Sequence, residues 1–267
     1  FNIYVYNGTT YTLITSTTDS VNISGLAAAT TYDVYITDNC GASGLSAAIG
    51  PITFTTLCPA SFLAPYSTDF ENITIGQQTS YENCWSVPAT TTPRWESEDA
   101  SGANENSTAT GPFYDNTSFG SAGGTYMYLE TSSGATGGKG LLSSPTIDFA
   151  SLTAPQLDFY YHMYGATMGV LRIYAEDATG TLTILDSIVG QQQTAGSDAW
   201  IKKSIDLSSL SGTSYSFVFE AERGTSFTGD ISIDDFSVAE APNCFASSAL
   251  TVISTSDVSA ELTWTAG

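Results

Sequence analysis

The residues of this chain best placed to do chemistry are carboxylates. Asp69 and Glu71, flanking Phe70, stand near the start of a long β-rich segment, and Asp234-Asp235 stand near its end. Ile231 and Ile233 alternate with small or polar residues, and Phe236 and Val238 then continue the apolar set at the other parity. A parity change inside one strand means an extra residue, so the spacing predicts a β-bulge at Asp234-Asp235. With Phe70 pointing inward, Asp69 and Glu71 fall on the other side of the same strand. If the opening and closing strands are neighbours, the two acidic pairs meet, and Glu98, Asp99 and Asp115 on expected loops could complete an oxygen shell. Hard oxygen ligands without His or Cys favour Ca²⁺ over zinc. Such an ion would hold the fold rather than catalyse. The plain alternative is that these acids are solvated or cap turns.

Catalytic chemistry finds little footing. The single histidine, His162, sits in an apolar strand, where a packed or hydrogen-bonded role is the ordinary one. A serine nucleophile needs a histidine oriented by an acid, and the sequence has no Gly-x-Ser-x-Gly elbow. Acid pairs without a cleft do not make a glycosidase, and no glycine-rich phosphate loop precedes a helix. Stacking of sugars on aromatic rings is the other available chemistry. Trp95, Tyr114 and Tyr164 are its candidate platform, with amides from Gln191-Gln-Gln193; a core or strand-face position is the competing reading for each ring.

The elements that must position these groups are strands. Within 1–57 they are expected at 1–6, 11–14, 20–23, 31–37 and 52–56, with Asn7-Gly8 as a hairpin signal. Further along they are expected at 126–130, 156–164, 170–176, 182–188, 200–206, 214–220 and 231–238. The Gly-rich pieces 119–124 and 134–140 read as hairpin loops. No segment sustains a helical period, so the fold class is all-β. Six Lys+Arg against 27 Asp+Glu give a net charge of −21, which argues against nucleic-acid binding because phosphate neutralisation needs a basic surface. The 42% apolar content supports a folded chain. No run of 18 apolar residues suits membrane insertion. Four cysteines fit a few disulfides in an oxidising compartment.

Leu26 followed by Thr31-Tyr-Asp-Val-Tyr35, with the ending Gly50-Pro-Ile-Thr-Phe-Thr-Thr56, resembles the later part of a fibronectin type III domain. Leu250-Thr-Val252 and Ala260-Glu-Leu-Thr-Trp264 resemble its first two strands, with Trp264 as the core tryptophan. The implied organisation is 1–57 as the C-terminal part of such a domain, 58–243 as a larger sandwich, and 244–267 as the start of the next small one. Joined, the two ends approach one whole small domain, so the chain reads as a window on an array of repeats. On that resemblance Cys40 and Cys58 lie at opposite poles, roughly 20 Å apart along a strand, too far to bond to each other. Cys40 is then expected to pair with the counterpart of Cys244 between adjacent repeats, and Cys58 with Cys84.

Between 58 and 243 the chain carries, in order, Asp69-Phe-Glu71, Cys84-Trp85, Thr110-Gly-Pro112, Asp115-x-Thr117, Tyr126-Met-Tyr-Leu-Glu130, Phe217-x-Phe-Glu220 and Gly229-Asp-Ile-x-Ile-Asp-Asp235. This ordered set resembles a MAM domain, a jelly-roll module of extracellular receptors and adhesion proteins. The resemblance implies a structural Ca²⁺ on the acids already named. Asn116 departs from a position that is often His, and the second disulfide of the family is missing. The low-Lys, cysteine-bordered flanks resemble large surface adhesins of Bacteroidota exported by type IX secretion. Asp19-Ser20-Val21 and Asp186-Ser187-Ile188 resemble O-glycosylation acceptors of that group, and Asn-x-Ser/Thr triplets at Asn7, Asn22, Asn72 and Asn106 are weak signals of the same kind. The expectation is therefore a non-catalytic, extracellular repeat segment of a surface adhesin. Its partners are neighbouring repeats and, in the alternative of a carbohydrate-binding accessory region, a surface glycan.

Overall fold

The computed structural model describes residues 1–81, 83–100, 109–242 and 248–265; Cys244 and the Asn106 triplet lie outside them. Alternating apolar residues build the first sheet from β1 (Asn2–Tyr6), β2 (Tyr11–Thr15), β3 (Thr31–Thr37) and β4 (Ile49–Thr55), in the order β2-β1-β3-β4. Residues directly opposite in an antiparallel pair share a face. Ile14, Ile3, Ile36 and Ile49 therefore form one apolar row, and Val5, Val34 and Ile52 run beside it. Ile23 and Leu26 pack with Ile3, Val5 and Tyr32, while Ile49 and Ile52 stay 70% and 71% exposed. The segment 20–23, expected as a strand, has no ladder.

The long middle segment supplies β5 (Phe62–Leu63), β6 (Tyr66–Thr68), β7 (Arg94–Asp99), β8 (Thr125–Glu130), β9 (Lys139–Ser143) and β10 (Ile147–Asp148). It continues with β11 (Pro155–His162), β12 (Val170–Glu176), β13 (Leu182–Val189), β14 (Ile201–Asp206), β15 (Ser214–Glu222) and β16 (Ile231–Glu240). They form two six-stranded sheets. One runs β13-β12-β15-β10-β5 with β9 also on β15; the other runs β14-β11-β16-β8-β7 with β6 also on β16. Together they make the β-sandwich expected from the sequence. Aromatic side chains fill its core: Trp85 meets Phe70, Phe219 and Phe236 with ring centroids 5.0, 6.0 and 4.9 Å away. Each such ring buries roughly 150–250 Å². Cys58 and Cys84 form a disulfide with Cα atoms 5.9 Å apart, tying the incoming chain to this core.

Strands β7 and β9, like the two-residue β5 and β10, lie outside the strands expected from the sequence. Glu98 and Asp99 lie in β7 rather than on a loop, and Lys139 and Gly140, placed in a loop by their glycines, open β9. Gly140 serves packing there, since a Cβ would stand 2.2 Å from Leu129 Cδ1. The chain ends in β17 (Ser248–Thr255) and β18 (Ala260–Thr265), a two-stranded ribbon with Val252 opposite Leu262. Among the described residues, no strand of this ribbon or of the first sheet pairs with the sandwich.

Candidate metal centre

Strand β16 changes partner halfway along one edge. Ile231, Ser232 and Ile233 pair with Leu129, Tyr128 and Met127 of β8, whereas Phe236, Ser237 and Val238 pair with Thr68, Ser67 and Tyr66 of β6. The opening and closing strands are thus neighbours, and β6 and β8 part at Asp234-Asp235. On the other edge, Tyr160 faces Asp234 and Asp158 faces Ser237, leaving Phe159 opposite both Asp235 and Phe236. This is the bulge, one residue later than the parity change places it. Asp235 takes a left-handed φ of 48°. Asp234 remains fully buried and Asp235 turns partly to solvent.

The Asp69–Glu71 piece departs from expectation in local form. Strand β6 stops at Thr68, where the Phe70 amide donates to Thr68 Oγ1 (3.2 Å) and the Glu71 amide to Asp69 Oδ1 (3.2 Å). These side-chain bonds compete with the ladder and start a turn, with Phe70 at φ 55°. Phe70 still points into the core, Asp69 is exposed, and Glu71 is half-buried with its Oε1 accepting from the Thr125 amide at 3.2 Å.

Asp115 closes the group. It is fully buried, and its carboxylate acts on those of both Glu71 and Asp234. Its Oδ2 accepts from the Ser118 amide (2.9 Å), while its buried Oδ1 has no donor. The loop after it is strapped to the bulge: the Asn116 amide donates to Asp234 Oδ2 (3.1 Å), Asn116 Nδ2 to Asp235 Oδ2 (2.6 Å), and Thr117 Oγ1 to Asp235 Oδ1 (3.0 Å). Gly124, at φ +90°, backs the cluster; a Cβ there would meet Asp115 Oδ2 at 2.4 Å.

Burial, and then the neighbouring Asp115 carboxylate, push the Asp234 carboxyl well above the usual carboxylate range. Burial also raises Glu71, opposed by the Thr125 amide and reinforced by Asp115 and Asp69. Like charges this close, out of water, either share protons or need a cation. Among the described residues no three His, Cys, Asp or Glu side chains stand close enough together to hold a metal ion as they are placed. The donor-less Asp115 oxygen and the all-oxygen set nevertheless fit a hard cation, with Glu71, Asp115 and Asp234 as its nearest donors and Asp69 and Asp235 at the rim.

The remaining candidates divide. Asp99 lies at the exposed end of β7, opposite Thr125. Trp95, a candidate sugar platform with a core position as its competing reading, is in the core with its Nε1 donating to Gly140 O at 3.2 Å; the alternation of β7 turns it inward. Gln193 is likewise no surface amide, since its Oε1 accepts from the Met163 amide at 2.7 Å. Tyr114 and Tyr164 are half-buried, and Tyr114 meets Phe119 edge-on at 5.9 Å. Ser20, Ser187 and the free thiol of Cys40 are exposed. His162 is fully buried beside Trp200 (ring centroids 5.6 Å apart); neither its nitrogens nor the Oγ of Ser232, opposite it, has a hydrogen-bond partner.

Sequence reasoning missed Asp230. Its Oδ1 accepts from the Thr131 amide (2.9 Å) and Oγ1 (2.7 Å), and its own amide donates to Thr110 Oγ1 (2.9 Å). This buried latch joins three segments, and burial raises its carboxyl to about 6. The only sequence signal was an acid set between glycine and an apolar strand, which many exposed turns share.

The fold and this acid-lined split define a two-sheet β-sandwich module. The MAM domain family (meprin/A5/mu) matches residues 68–245, well over half of the chain, and the chain belongs to that family. It is 37% identical over 139 residues to human MAM domain-containing glycosylphosphatidylinositol anchor protein 2, covering 49% of this chain and 14% of that protein. It is 38% identical over 136 residues to the thyroid hormone-induced protein B of Xenopus laevis, covering 50% and 18%. The chain thus spans a small part of the relatives it matches. Among solved structures it is similar to the K1 cleaved adhesin domain of Lys-gingipain from Porphyromonas gingivalis W83, at 16% identity and a TM-score of 0.44, over 67% of this chain and 99% of that one.

Proposed function

We propose that this chain is a non-catalytic, extracellular adhesion and spacing segment whose MAM module is held by a structural Ca²⁺. The observation that carries the reading is the buried Asp115–Asp234 pair with half-buried Glu71 beside it, one oxygen of it donor-less, at the point where β6 and β8 part on β16. A bound cation would supply the charge these carboxylates lack and join three pieces of chain. Membership in a family with a glycosylphosphatidylinositol anchor protein among its relatives, together with the Cys58–Cys84 disulfide, supports an extracellular setting. His162, shut in the core away from any substrate, favours a passive module over an enzyme. The flanks fit partial fibronectin type III units alternating with MAM modules in a larger protein, with Cys40 and the counterpart of Cys244 bonding adjacent repeats. The composition suits a surface protein exported by type IX secretion in Bacteroidota.

An extracellular-type affinity near 0.1 mM, with about 1 mM free ion, stabilises the fold by roughly 1.4 kcal/mol. We expect chelation to lower the melting temperature by about 3–6 °C, and Asp234→Ala to abolish the difference. Identical melting curves with and without chelator would sink the metal reading.

The exposed Phe119 beside Tyr114 favours a second reading, a carbohydrate-binding accessory region of a secreted enzyme. It predicts glycan-array binding that Tyr114→Ala removes, and an array blank for the wild-type chain would leave spacing as the role.

A further inference from the structure

One rung of the ladder between β11 and β16 carries more polarity than the fold uses. Side chains alternate across a strand, so with Phe159, Tyr161 and Met163 in the core, Tyr160 and His162 stand on the outer face of that sheet. His162 is directly opposite Ser232, and Ser232 is directly opposite Tyr128 of β8. The outer face is covered here. Tyr126, Tyr128 and Trp200 form a second apolar cluster on it with Ala100 and Tyr160. The Trp200 ring stands 5.6 Å from the imidazole and 5.5 Å from Tyr126, and its Nε1 donates to Tyr114 O at 2.9 Å. His162 and Ser232 are fully enclosed. Three polar atoms in this one place, both ring nitrogens and the Ser232 Oγ, have no hydrogen-bond partner among the described residues. Buried polar groups are almost always satisfied, by protein or by ordered water.

We propose that His162 and Ser232 together hold one internal water molecule beneath Trp200. The chemistry of the place selects this ligand. An apolar guest would leave all three atoms unpaired, and a metal ion would find one imidazole and one hydroxyl, too few ligands for zinc or calcium. Burial keeps the imidazole neutral at ordinary pH, so one nitrogen offers a proton and the other a lone pair, while the Ser232 hydroxyl can do both. Directly opposite side chains of an antiparallel pair have Cβ atoms roughly 4.5–5.5 Å apart. Since His162 and Ser232 do not bond to each other, a bridge one water long suits the gap. The turn closed by the Asp198 amide on Ala195 O (3.1 Å) acts on the imidazole from outside hydrogen-bonding geometry, so carbonyl acceptors line the same place. An internal water makes about three hydrogen bonds, and these groups supply them. The water then belongs to the floor on which Trp200, and through its Nε1 the Tyr114 segment, is seated. The inference is independent of the calcium reading, and its failure would leave the calcium and glycan tests untouched.

The chain has one histidine, so isotope labelling of histidine in the whole protein reports this site alone. The ring is fully buried and bulk water does not touch it. A water-selected NOE spectrum should therefore show cross-peaks from a long-lived water to the His162 ring protons. Oxygen-17 relaxation dispersion, which sees the water oxygen and no exchanging hydroxyl, counts long-lived waters per molecule. We expect that count to fall by one in His162→Phe and by one in Ser232→Val. In the double variant it should again fall by one rather than two, because the two residues share the molecule. Waters elsewhere, those among the acids of the bulge included, cancel in the difference. Wild-type ring protons without a water cross-peak would overturn the proposal. An unchanged count in His162→Phe would do the same, as would a loss of two in the double variant. If Ser232→Val does not fold, the ring cross-peaks and His162→Phe still decide.

Discussion

At the scale of single residues, the buried polar groups set the pH response. Burial holds the His162 imidazole down at about 4, with the Asp198 carboxylate pulling weakly the other way. Below pH about 6.5 the unfolded chain takes up a proton that the folded chain refuses, so this term removes stability as pH falls from 6.5 to 4 and then levels off. Its full size is about 3 kcal/mol at most. Asp230 acts in the opposite sense. Its carboxyl is raised to about 6 by burial, so its contribution is present in full below the unfolded carboxylate value and is lost as pH rises through 6. The two offset each other in the wild type, and a difference measurement is needed to see either. We predict that His162→Phe, which fills the same slot against Trp200 and removes two unpartnered nitrogens, changes stability little at pH 8. Near pH 4.5 the variant should exceed the wild type by about 2–3 kcal/mol in urea titrations. Parallel stability profiles for the two proteins would show that the imidazole is not shielded as described.

At the scale of elements, the acidic cluster is a consequence of how strands part. Strand β16 passes from β8 to β6 at Asp234-Asp235, and the bulge there aims one acid inward and the other at the Asn116–Thr117 loop. Gly124 is the element-level requirement for the arrangement, because its left-handed backbone and missing Cβ make room for Asp115. Gly124→Ala should cost about 1–3 kcal/mol and should shrink the calcium-dependent rise in melting temperature, since Asp115 must then move. An unchanged calcium shift in this variant would place the ion elsewhere. Much of this element was legible in the sequence: the parity change between Ile233 and Phe236 announces an extra residue, and the inward Phe70 announces a strand-edge acid on each side. What stayed hidden was whatever depends on tertiary neighbours. Thr68 and Asp69 end their strand through side-chain bonds to the next amides, so Asp69–Glu71 is a turn. Between core and surface the sequence leaves Trp95 open until β7 is known to lie in the sheet, and Gly140 looks like a loop residue until Leu129 is known to press on it.

At the scale of the whole molecule, charge is distributed unevenly. Lys139, Arg172, Lys202 and Lys203 form ion pairs with Glu220, Glu222, Asp158 and Asp186. Arg94 and Arg223 donate to the carbonyls of Gln78 and Thr131. Every basic residue is thus engaged within the sandwich, and a net charge of −21 is left to repel itself. Two effects of calcium must then be separated: general screening of that repulsion and occupation of one site. Screening depends on ionic strength, and the Debye length falls from about 30 Å at 0.01 M to about 8 Å at 0.15 M. About 1 mM CaCl₂ adds only about 3 mM of ionic strength, too little to screen further in a buffer already at 0.15 M. We therefore expect the melting temperature to rise gradually with NaCl in the wild type and in Asp234→Ala alike. Millimolar Ca²⁺ added at 0.15 M NaCl should raise it again in the wild type only. Mg²⁺ at the same concentration should do less, because it keeps its waters and tolerates irregular oxygen cages poorly. If NaCl alone reproduced the whole effect, or if Asp234→Ala responded to Ca²⁺ as the wild type does, the ion would belong to the diffuse atmosphere around an acidic surface. The split between β6 and β8 would then be closed by shared protons alone.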